Sequence, residues 1–537
     1  MKSHLTGRFL VTVTVAVFLA TLLMLPVVTN AADDPVTLTI GITADPRGLT
    51  PLYGSTHLDW IPGYRLYSGL IQAGENFEPV PDLADSWESS EDQLTWTFHL
   101  NPNATFHDGS PVTSEDVKFS ILTFALEYCT SCMRGLGTVI DSIDTPDAHT
   151  VVFNLKAPYP EMLNPYDGVG DACSGVAKKE LYEGTDILTN PYNFEPVGSG
   201  PFKFVEWVRG SHIILEKYEG YFREVPGIDR IVFRIIGDPS ARTLAFENGD
   251  VDWIPFSVPA SEVARLSSLP GKKVWFHPAP NGGMNELAFN MRTEPLSSKA
   301  VRKAITAAID KQRIVDFVYF GGAEAGTAHI PRTAFSAWWQ NPAAKQIEYD
   351  PELAAAMLDS AGYPVQDDSW RFHINLKHTT GYSEDLKVAE LIKDDLKKIG
   401  IDVTIVSLDN AAWHEQVFKN WDFDTSLVAF SGGPNPATMK RFHTTNILRS
   451  SWANCMGFSN AEYDALFDRM ISNLDEEQRR NDLFRMQEIL AEEQPVAYVV
   501  HKMQPTGLAE GKFTEEPLNV WYLGYVWMHL NRIKPAQ

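Results

Sequence analysis

The sequence predicts an α/β fold divided into two or three domains. Its 537 residues exceed what one hydrophobic core usually serves. A content of 44% hydrophobic and 21% charged residues is a globular balance. Some segments alternate apolar and polar residues, while others repeat apolar residues every three to four positions, as strands and amphipathic helices do. Strands that alternate with well-capped helices indicate α/β domains.

The first element is a hydrophobic leader. Lys2 and Arg8 precede an apolar run over residues 9–28, and small residues follow at Ala31 and Ala32. This order is typical of a secretory signal peptide, so cleavage is expected near Ala31 or Ala32. A retained membrane anchor is the alternative, because the run is almost long enough to span a bilayer. No Cys that could carry a lipid lies at the expected cleavage site, so we expect the mature chain to be free in solution.

Residues 83–120 hold the densest run of local signals. The segment LTWTFHL (residues 94–100) alternates as a strand with one apolar face. The segment FHDGSPVTSEDV (residues 106–117) then gives a Gly/Pro turn and a helix start with a Thr/Ser cap and acids in the first turn. We therefore predict a strand, a turn and a capped helix in succession.

Two helices are predicted next. Apolar residues at helical spacing over 301–309 indicate an amphipathic helix. Asp350 and Pro351 then supply an N-cap and an N1 proline, and Gly362 ends the pattern. This second helix has both of its ends specified by sequence.

A β-α-β-like element and a long helix complete the chain. Ser383 begins a helical pattern that Gly400 ends, and residues 401–405 alternate as a half-buried strand. Asp475 opens a long helical pattern that stops before Pro495. No short-period repeat interrupts these elements.

The charge balance limits the classes of partner. Asp and Glu number 69 against 45 Lys and Arg, a formal net charge of -24. Nucleic acids and anionic membranes are bound by basic stripes, so neither is expected as a partner. An acidic surface favours cationic ligands, although plain solvation of the surface explains the acidity as well.

Four cysteines lie in a chain expected to reach an oxidising compartment: Cys129, Cys132, Cys173 and Cys455. They allow three complete pairings, among which the sequence does not decide. Cys129-x-x-Cys132 is also compatible with a redox pair or half a zinc site, but no second Cys-x-x-Cys and no His-x3–5-His follows. We expect a structural disulfide, with no metal and no cofactor.

Several motifs occur in one characteristic order. They are the run over 83–117, GSGPFK (198–203), PL…VRKA…AID (295–310) and YDP…AGY (349–363). In this order and spacing they closely resemble the family 5 solute-binding proteins of ABC importers, the peptide/nickel class. The resemblance covers nearly the whole mature chain.

The resemblance implies a two-lobed, periplasmic-binding-protein-like fold, type II and cluster C-like, with an additional inserted domain. The implied parts are a signal peptide (1–31), lobe I (32–75, 196–284 and 505–537), the inserted domain (76–195) and lobe II (285–504). It also implies a monomer in the Gram-negative periplasm that captures a small solute, first of all a peptide, and delivers it to an ABC permease.

A secreted hydrolase is the alternative from another class. Val197 occupies the place where a Gly-x-Ser-x-Gly elbow around Ser199 needs its first glycine. His414 begins like a zinc-protease helix, but Phe418 stands where the second histidine has to be. The sequence therefore predicts no enzyme.

The resemblance also implies where ligand binds. Trp413 has the N-x-x-W setting of a family position that lines the cavity, with packing in the core as the alternative. The segment FSGGPNP (430–436) matches the family's D-Y-P-D-P loop, whose aspartate pairs with a peptide's amino terminus in peptide receptors. The predicted ligand-binding residues are Trp413, Phe430, Ser431, Gly432, Gly433, Asn435, Asn281, Met284, Asn285, Tyr53 and Thr56.

The loop departs from the family pattern. Gly432 stands where the family has the amine-binding aspartate, and Asn435 stands at the second aspartate. Either another acid compensates, such as Glu286 or Asp59, or the ligand is an oligosaccharide or an opine-like compound. A plain tight turn is the alternative for this loop.

The other candidates rest on position. Asn281, Met284 and Asn285 lie near the expected lobe crossing, where a hinge without ligand contact is the alternative. Tyr53 and Thr56 follow the first mature strand, and ligands tend to approach the carboxyl ends of strands in open α/β sheets. The histidines are dispersed, so no cluster supports a nickel-type ligand.

Overall fold

The computed structural model describes residues 35–50, 63, 65–74, 78–128, 134–164, 168–170, 175–277, 283–330, 339–430, 436–514 and 534–536. Residues from Val36 onward belong to one unit. The predicted leader lies outside the described residues. Within them, no helix combines the length and the apolar character that a membrane crossing requires.

The strands, in chain order, are β1 (Thr37–Ile42), β2 (Ile71–Ala73), β3 (Pro79–Pro81), β4 (Ala84–Ser89), β5 (Thr95–Leu100), β6 (Ile140–Asp147), β7 (Thr150–Leu155), β8 (Phe202–Val208), β9 (His212–Lys217), β10 (Arg230–Ile235), β11 (Trp253–Ile254), β12 (Lys272–His277), β13 (Met284–Phe289), β14 (Ala323–Ala325), β15 (Phe372–Thr379), β16 (Ile401–Leu408), β17 (Thr425–Phe430), β18 (Val496–Lys502) and β19 (Gln504–Ala509).

The α-helices are α1 (Ser114–Phe119), α2 (Arg134–Val139), α3 (Pro239–Asn248), α4 (Val263–Leu266), α5 (Lys299–Ala308), α6 (Lys311–Val318), α7 (Pro351–Ser360), α8 (Asp385–Lys398), α9 (Asn410–His414), α10 (Ala461–Met470) and α11 (Glu476–Glu493). Two of them continue as π-helix, α1 over Ser120–Tyr128 and α9 over Glu415–Asn420.

The first sheet is mixed and has the strand order β12-β19-β11-β1-β10-β9-β8. β1 pairs in parallel with β10, and β19 pairs antiparallel with β11 and β12. The strands come from three separate stretches of chain, so the chain leaves this sheet and returns to it twice. This is the discontinuity that the sequence predicts for lobe I, whose boundaries stay predictions.

The second sheet has the order β14-β18-β13-β17-β15-β16. β13 pairs antiparallel with β17 and β18, while β15 pairs in parallel with β16 and β17. Buried residues pack on both of its faces. Leu287 and Phe289 belong to the core under α5 to α8, and Met284 and Ala288 belong to the core that contains α10 and α11.

A smaller antiparallel sheet, β4-β5-β7-β6, lies within the predicted inserted domain and carries its own core. β5 alternates as predicted, with Trp96, Phe98 and Leu100 buried. Thr113 and Asp116 form the predicted capping box at the start of α1, where the Thr113 N–H donates to Asp116 Oδ2 at 2.9 Å.

The other predicted helix ends are also confirmed. The Asp350 carboxylate accepts from the Leu353 N–H at 2.8 Å and begins α7. Asp475 caps α11 in the same way, and α11 ends at Glu493, with Gln494 as its C-cap before Pro495. α8 begins at Asp385 rather than at the predicted Ser383, and its N-cap, Glu384, makes no side-chain capping bond.

His107 joins the inserted part to the first-sheet part. Its Nδ1 accepts from the Gly198 N–H at 3.2 Å, and its Nε2 bonds the Gly200 carbonyl at 3.1 Å. A Cβ at Gly198 would overlap the carbonyl of Leu66, so this position admits glycine alone. Burial lowers the pKa of His107 to about 4.

His107→Gln is expected to reduce the loss of stability in acid. Between pH 6.5 and about 4 the unfolded chain protonates this histidine and the folded chain does not. Its contribution is therefore complete above pH 6.5 and is lost as the pH falls towards 4. Glutamine keeps a donor and an acceptor without this titration. Scanning calorimetry between pH 6.5 and about 4 measures how the stability of each protein changes with pH. The control is His99→Gln, because the His99 side chain is 47% exposed. Equal pH slopes for all three proteins would contradict the assignment.

Candidate functional site

The candidate site lies at one edge of the second sheet. The pairings make β15, β16, β17 and β18 run in the same direction, so all four end at this edge, where β13 begins. Both passages of the chain between the two sheets also leave from here, one from β12 to β13 and one from β18 to β19. The carboxyl ends of strands next to such a crossing are where α/β proteins bind ligands.

The two passages are in direct contact. The Lys502 N–H donates to the Gly283 carbonyl at 3.1 Å. The Met503 N–H, on the passage from β18 to β19, donates at 2.9 Å to the carbonyl of Gly322, which directly precedes β14. A Cβ at Gly322 would overlap the ring of Phe276 on β12. The absence of a side chain at Gly322 therefore allows the two parts of the protein to approach at the crossing.

A group of polar side chains, here called the edge cluster, lies at this edge: Asn285, Tyr319, Tyr382, Asp385 and Lys502. Asn285 Nδ2 donates to the Tyr319 hydroxyl at 2.8 Å and to Asp385 Oδ1 at 3.3 Å. Asn285 Oδ1 is buried and has no hydrogen-bond partner in the described part of the chain. A buried acceptor without a partner among the described residues is a candidate contact for a ligand.

The edge cluster combines one acid with one ammonium. Burial raises the pKa of Asp385 to about 6, although the nearby charge of Lys502 opposes the shift. The Lys502 ammonium lies 5.6 Å from the Tyr319 ring and 5.3 Å from the Tyr382 ring. Cation–π contacts orient it without neutralising it, and no carboxylate of the described residues forms an ion pair with it.

Of the edge cluster, the sequence predicted Asn285 alone. Tyr319, Tyr382, Asp385 and Lys502 were missed. Lys502 had a usable signal, because it lies close to position 504, where the predicted lobe II ends and the chain returns to lobe I. Asp385 had another, since it lies in the first turn after β15.

A second group, here called the buried ion-pair cluster, lies behind β13: Glu286, His329 and Arg441. Glu286 is fully buried and accepts a hydrogen bond from Arg441 Nη1. Its other oxygen lies 3.5 Å from His329 Nδ1. The Arg441 guanidinium stacks 4.4 Å above the ring of Phe430.

The protonation of Glu286 follows from these neighbours. Burial raises the pKa of Glu286, but the charges of Arg441 and His329 outweigh it, and the pKa falls below its ordinary value. The carboxylate is thus ionised at neutral pH and already paired. Sequence reasoning offered Glu286 as a replacement amine anchor, but the structure commits it to Arg441, and Asp59 lies outside the described residues.

Trp413 is enclosed in the core. It is 1% exposed, and its indole N–H donates to Ser426 Oγ at 3.0 Å. Its ring meets Phe418 edge-to-face at 5.3 Å and Trp452 at 6.1 Å. These contacts agree with the packing alternative, and contact between Trp413 and a ligand stays a prediction.

The remaining candidates divide into two sets. Met284 is buried at the start of β13 and faces the half-buried Phe430 across the β13–β17 pair. The other predicted residues lie outside the described residues and stay predictions: Tyr53, Thr56, Asn281, Ser431, Gly432, Gly433 and Asn435.

Cys455 is a free thiol in the core, with its Sγ 3.5 Å from the Met456 sulfur. The predicted structural disulfide therefore does not include Cys455, and a disulfide among the other three cysteines stays a prediction. Burial also raises the pKa of the Cys455 thiol to about 11. The other three cysteines lie outside the described residues: Cys129, Cys132 and Cys173. Within the described residues, no group of three side chains that could ligate a metal is found.

Comparison with known proteins finds relatives over most of the chain. The family described as bacterial extracellular solute-binding proteins, family 5 Middle, matches residues 78–446. The oligopeptide-binding protein AppA of Bacillus subtilis (strain 168) is 28% identical over 497 residues, which cover 89% of each chain.

Two solved structures have the same fold. AppA from Bacillus subtilis in complex with a nonapeptide has a TM-score of 0.72 and 25% identity, covering 94% of this chain and 100% of its own. The PBP AgaA in complex with agropinic acid, from A. tumefaciens R10, has a TM-score of 0.73 and 26% identity, covering 93% and 99%. These similarities confirm the predicted two-lobed α/β fold of the periplasmic binding proteins.

Trp413→Ala is expected to lower the free energy of unfolding by about 3–5 kcal/mol, the usual loss when a buried tryptophan is truncated. Urea unfolding of the mature protein measures it. Full stability together with a roughly tenfold weaker affinity would instead establish Trp413 as a ligand contact and contradict the packing interpretation.

Arg441→Met is expected to lower the free energy of unfolding by about 3–5 kcal/mol, because it leaves the ionised Glu286 buried without its strongest partner. The double variant Glu286→Gln/Arg441→Met removes both charges and should recover most of the loss. Additive effects of the two substitutions in urea unfolding would show that the pair is not coupled.

Proposed function

The chain belongs to the bacterial extracellular solute-binding proteins, family 5, and from this we propose that it captures a peptide between its lobes and delivers it to an ABC permease. Export through the leader to the Gram-negative periplasm, and a monomeric state, are parts of the same proposal. The family is one of substrate-binding transport proteins, so reversible capture without chemistry is the expected activity.

The observation that carries the proposal is the edge cluster. A peptide has a carboxylate, backbone N–H groups and carbonyls, and it needs complementary groups in a cleft. The Lys502 ammonium, unpaired with any described acid, is suited to the carboxylate. The unpartnered Asn285 Oδ1 is suited to an N–H donor. Both groups lie where the two lobes meet.

The comparisons support a peptide ligand. The relative AppA is an oligopeptide-binding protein by name, and its solved structure contains a nonapeptide. Because identity to AppA is 28% or less, the ligand class rests on the family and on the edge cluster together.

An opine-like compound or an oligosaccharide is the second candidate. Gly432 and Asn435 replace both aspartates of the family loop, and Glu286, which sequence reasoning offered in their place, is paired with Arg441. AgaA, with a fold of the same kind, was solved with agropinic acid. A ligand without a free amine would not need the missing aspartate.

Lys502→Met is expected to weaken peptide binding by roughly tenfold or more, because a hydrogen bond to a charged group contributes about 1.5–3 kcal/mol. Isothermal titration with a mixed peptide library, and with the same library as C-terminal amides, measures it. The amides should bind the wild type as weakly as the free acids bind the variant. Lys393→Met, at an exposed lysine on α8, is the matched control and should bind like the wild type.

The same titrations separate the two ligand classes. Binding of a panel of opine-like compounds or oligosaccharides, with no binding of either peptide library, would overturn the peptide proposal. Tight binding of free-amine peptides would show that the loss of the loop aspartate is compensated elsewhere. Turnover of any bound compound would favour the hydrolase.

A further inference from the structure

One ion pair joins the inserted domain to lobe II. Arg479, on α11, donates to Glu161, which lies 318 positions earlier in the chain. The two side chains are 8% and 12% exposed. Pairs this well shielded from water are sensitive to the loss of either partner.

Each partner is held firmly on its own side. Arg479 Nε donates to the Met470 carbonyl at 3.2 Å, and its guanidinium lies 5.4 Å from the Trp339 ring. The second oxygen of Glu161 accepts from Asn164 Nδ2 at 2.6 Å. The charged groups are therefore already oriented towards each other.

Glu161 moves with lobe I. The inserted domain is fixed to the first-sheet part by His107, by the Tyr218 hydroxyl donating to the Phe106 carbonyl at 2.9 Å, and by Arg223 Nη2 donating to the Asp82 carbonyl at 2.6 Å. None of these three contacts involves a residue of the second sheet.

Arg479 moves with lobe II. The carboxyl end of its helix is tied to α5 by Arg302, which donates to the Glu493 carbonyl at 2.7 Å and to the Gln494 carbonyl at 3.1 Å. α11 then runs directly into β18 of the second sheet. Separation of the lobes would therefore pull Arg479 away from Glu161.

We propose that Glu161 and Arg479 form a latch that holds the lobes together and thereby sets the affinity for ligand. In the closed arrangement, loss of one partner leaves the other charge buried alone, whereas in an open arrangement water solvates it. Either single substitution therefore shifts the equilibrium towards the open form. Loss of both partners leaves neither charge of the pair buried, so the equilibrium shifts less towards the open form.

The consequence for binding follows from the population shift. Apparent affinity falls by the factor by which the binding-competent closed population falls. Glu161 and Arg479 are positioning residues in this scheme, since they act through lobe closure and not through contact with the ligand. The effect on affinity rests on the proposed function, but the effect on closure does not.

The test compares four variants of the mature protein with the wild type: Glu161→Gln, Arg479→Gln, the double variant and Arg485→Gln. Arg485 is the matched control. It lies on the same helix and pairs with Glu462, Glu488 and Glu492, all within lobe II. Thermal unfolding establishes that each variant is folded.

Small-angle scattering without added ligand measures closure. Both single variants should have a larger radius of gyration than the wild type, the double variant an intermediate one and Arg485→Gln an unchanged one. Equal radii for the wild type and the single variants would overturn the latch. This arm needs no ligand, so it stands even if the peptide proposal fails.

Titration with the mixed peptide library measures affinity. Each single substitution should weaken binding roughly tenfold or more, with partial recovery in the double variant. Changed radii with unchanged affinities would overturn the part of the proposal that concerns binding. If no peptide binds the wild type, the proposed function fails and the scattering result alone decides the latch.

Discussion

The constraint on which the rest of the structure depends is that the chain passes between its two sheets at a single edge. β12 continues into β13 and β18 into β19, and the two passages touch through Lys502 and Gly283. Because both links lie together, the lobes can rotate about one line without breaking either sheet. The edge cluster lies beside that line, so the proposed closure would bring the other lobe over it.

β13 connects this edge to the interior. Asn285 and Glu286 are neighbours on the strand, yet Asn285 bonds Tyr319 and Asp385 among the helices of one face, while Glu286 bonds Arg441 among those of the other. The pairing register of β13 with β18 shifts between these two residues. One strand thus supports the polar edge cluster and a buried ion pair at the same time.

The features that the sequence predicted depend on interactions between residues close in the chain, and the features that it missed depend on interactions between distant residues. The caps at Thr113, Asp350 and Asp475 act within three residues of themselves, so local pattern was sufficient and each was confirmed. Glu286 was expected to be an available acid because its partner, Arg441, is 155 positions away. Asp385 was missed for the same reason, since Asn285 is 100 positions distant. The family resemblance gave the fold, but only tertiary contacts show which charges remain unpaired.

A charge that has no partner within the protein is the one that a ligand can pair with. Among the buried acids, Glu286 has its own arginine and Glu161 has Arg479, and neither has charge to offer a ligand. The Lys502 ammonium differs, because its contacts are with the rings of Tyr319 and Tyr382, and the nearby Asp385 forms no ion pair with it. In a protein with a formal net charge of -24, a partly buried ammonium that forms no ion pair with a described acid is suited to a ligand that brings an anion. The ligand contact proposed for Lys502 and the latch proposed for Glu161 and Arg479 thus rest on different charges, which mutations separate.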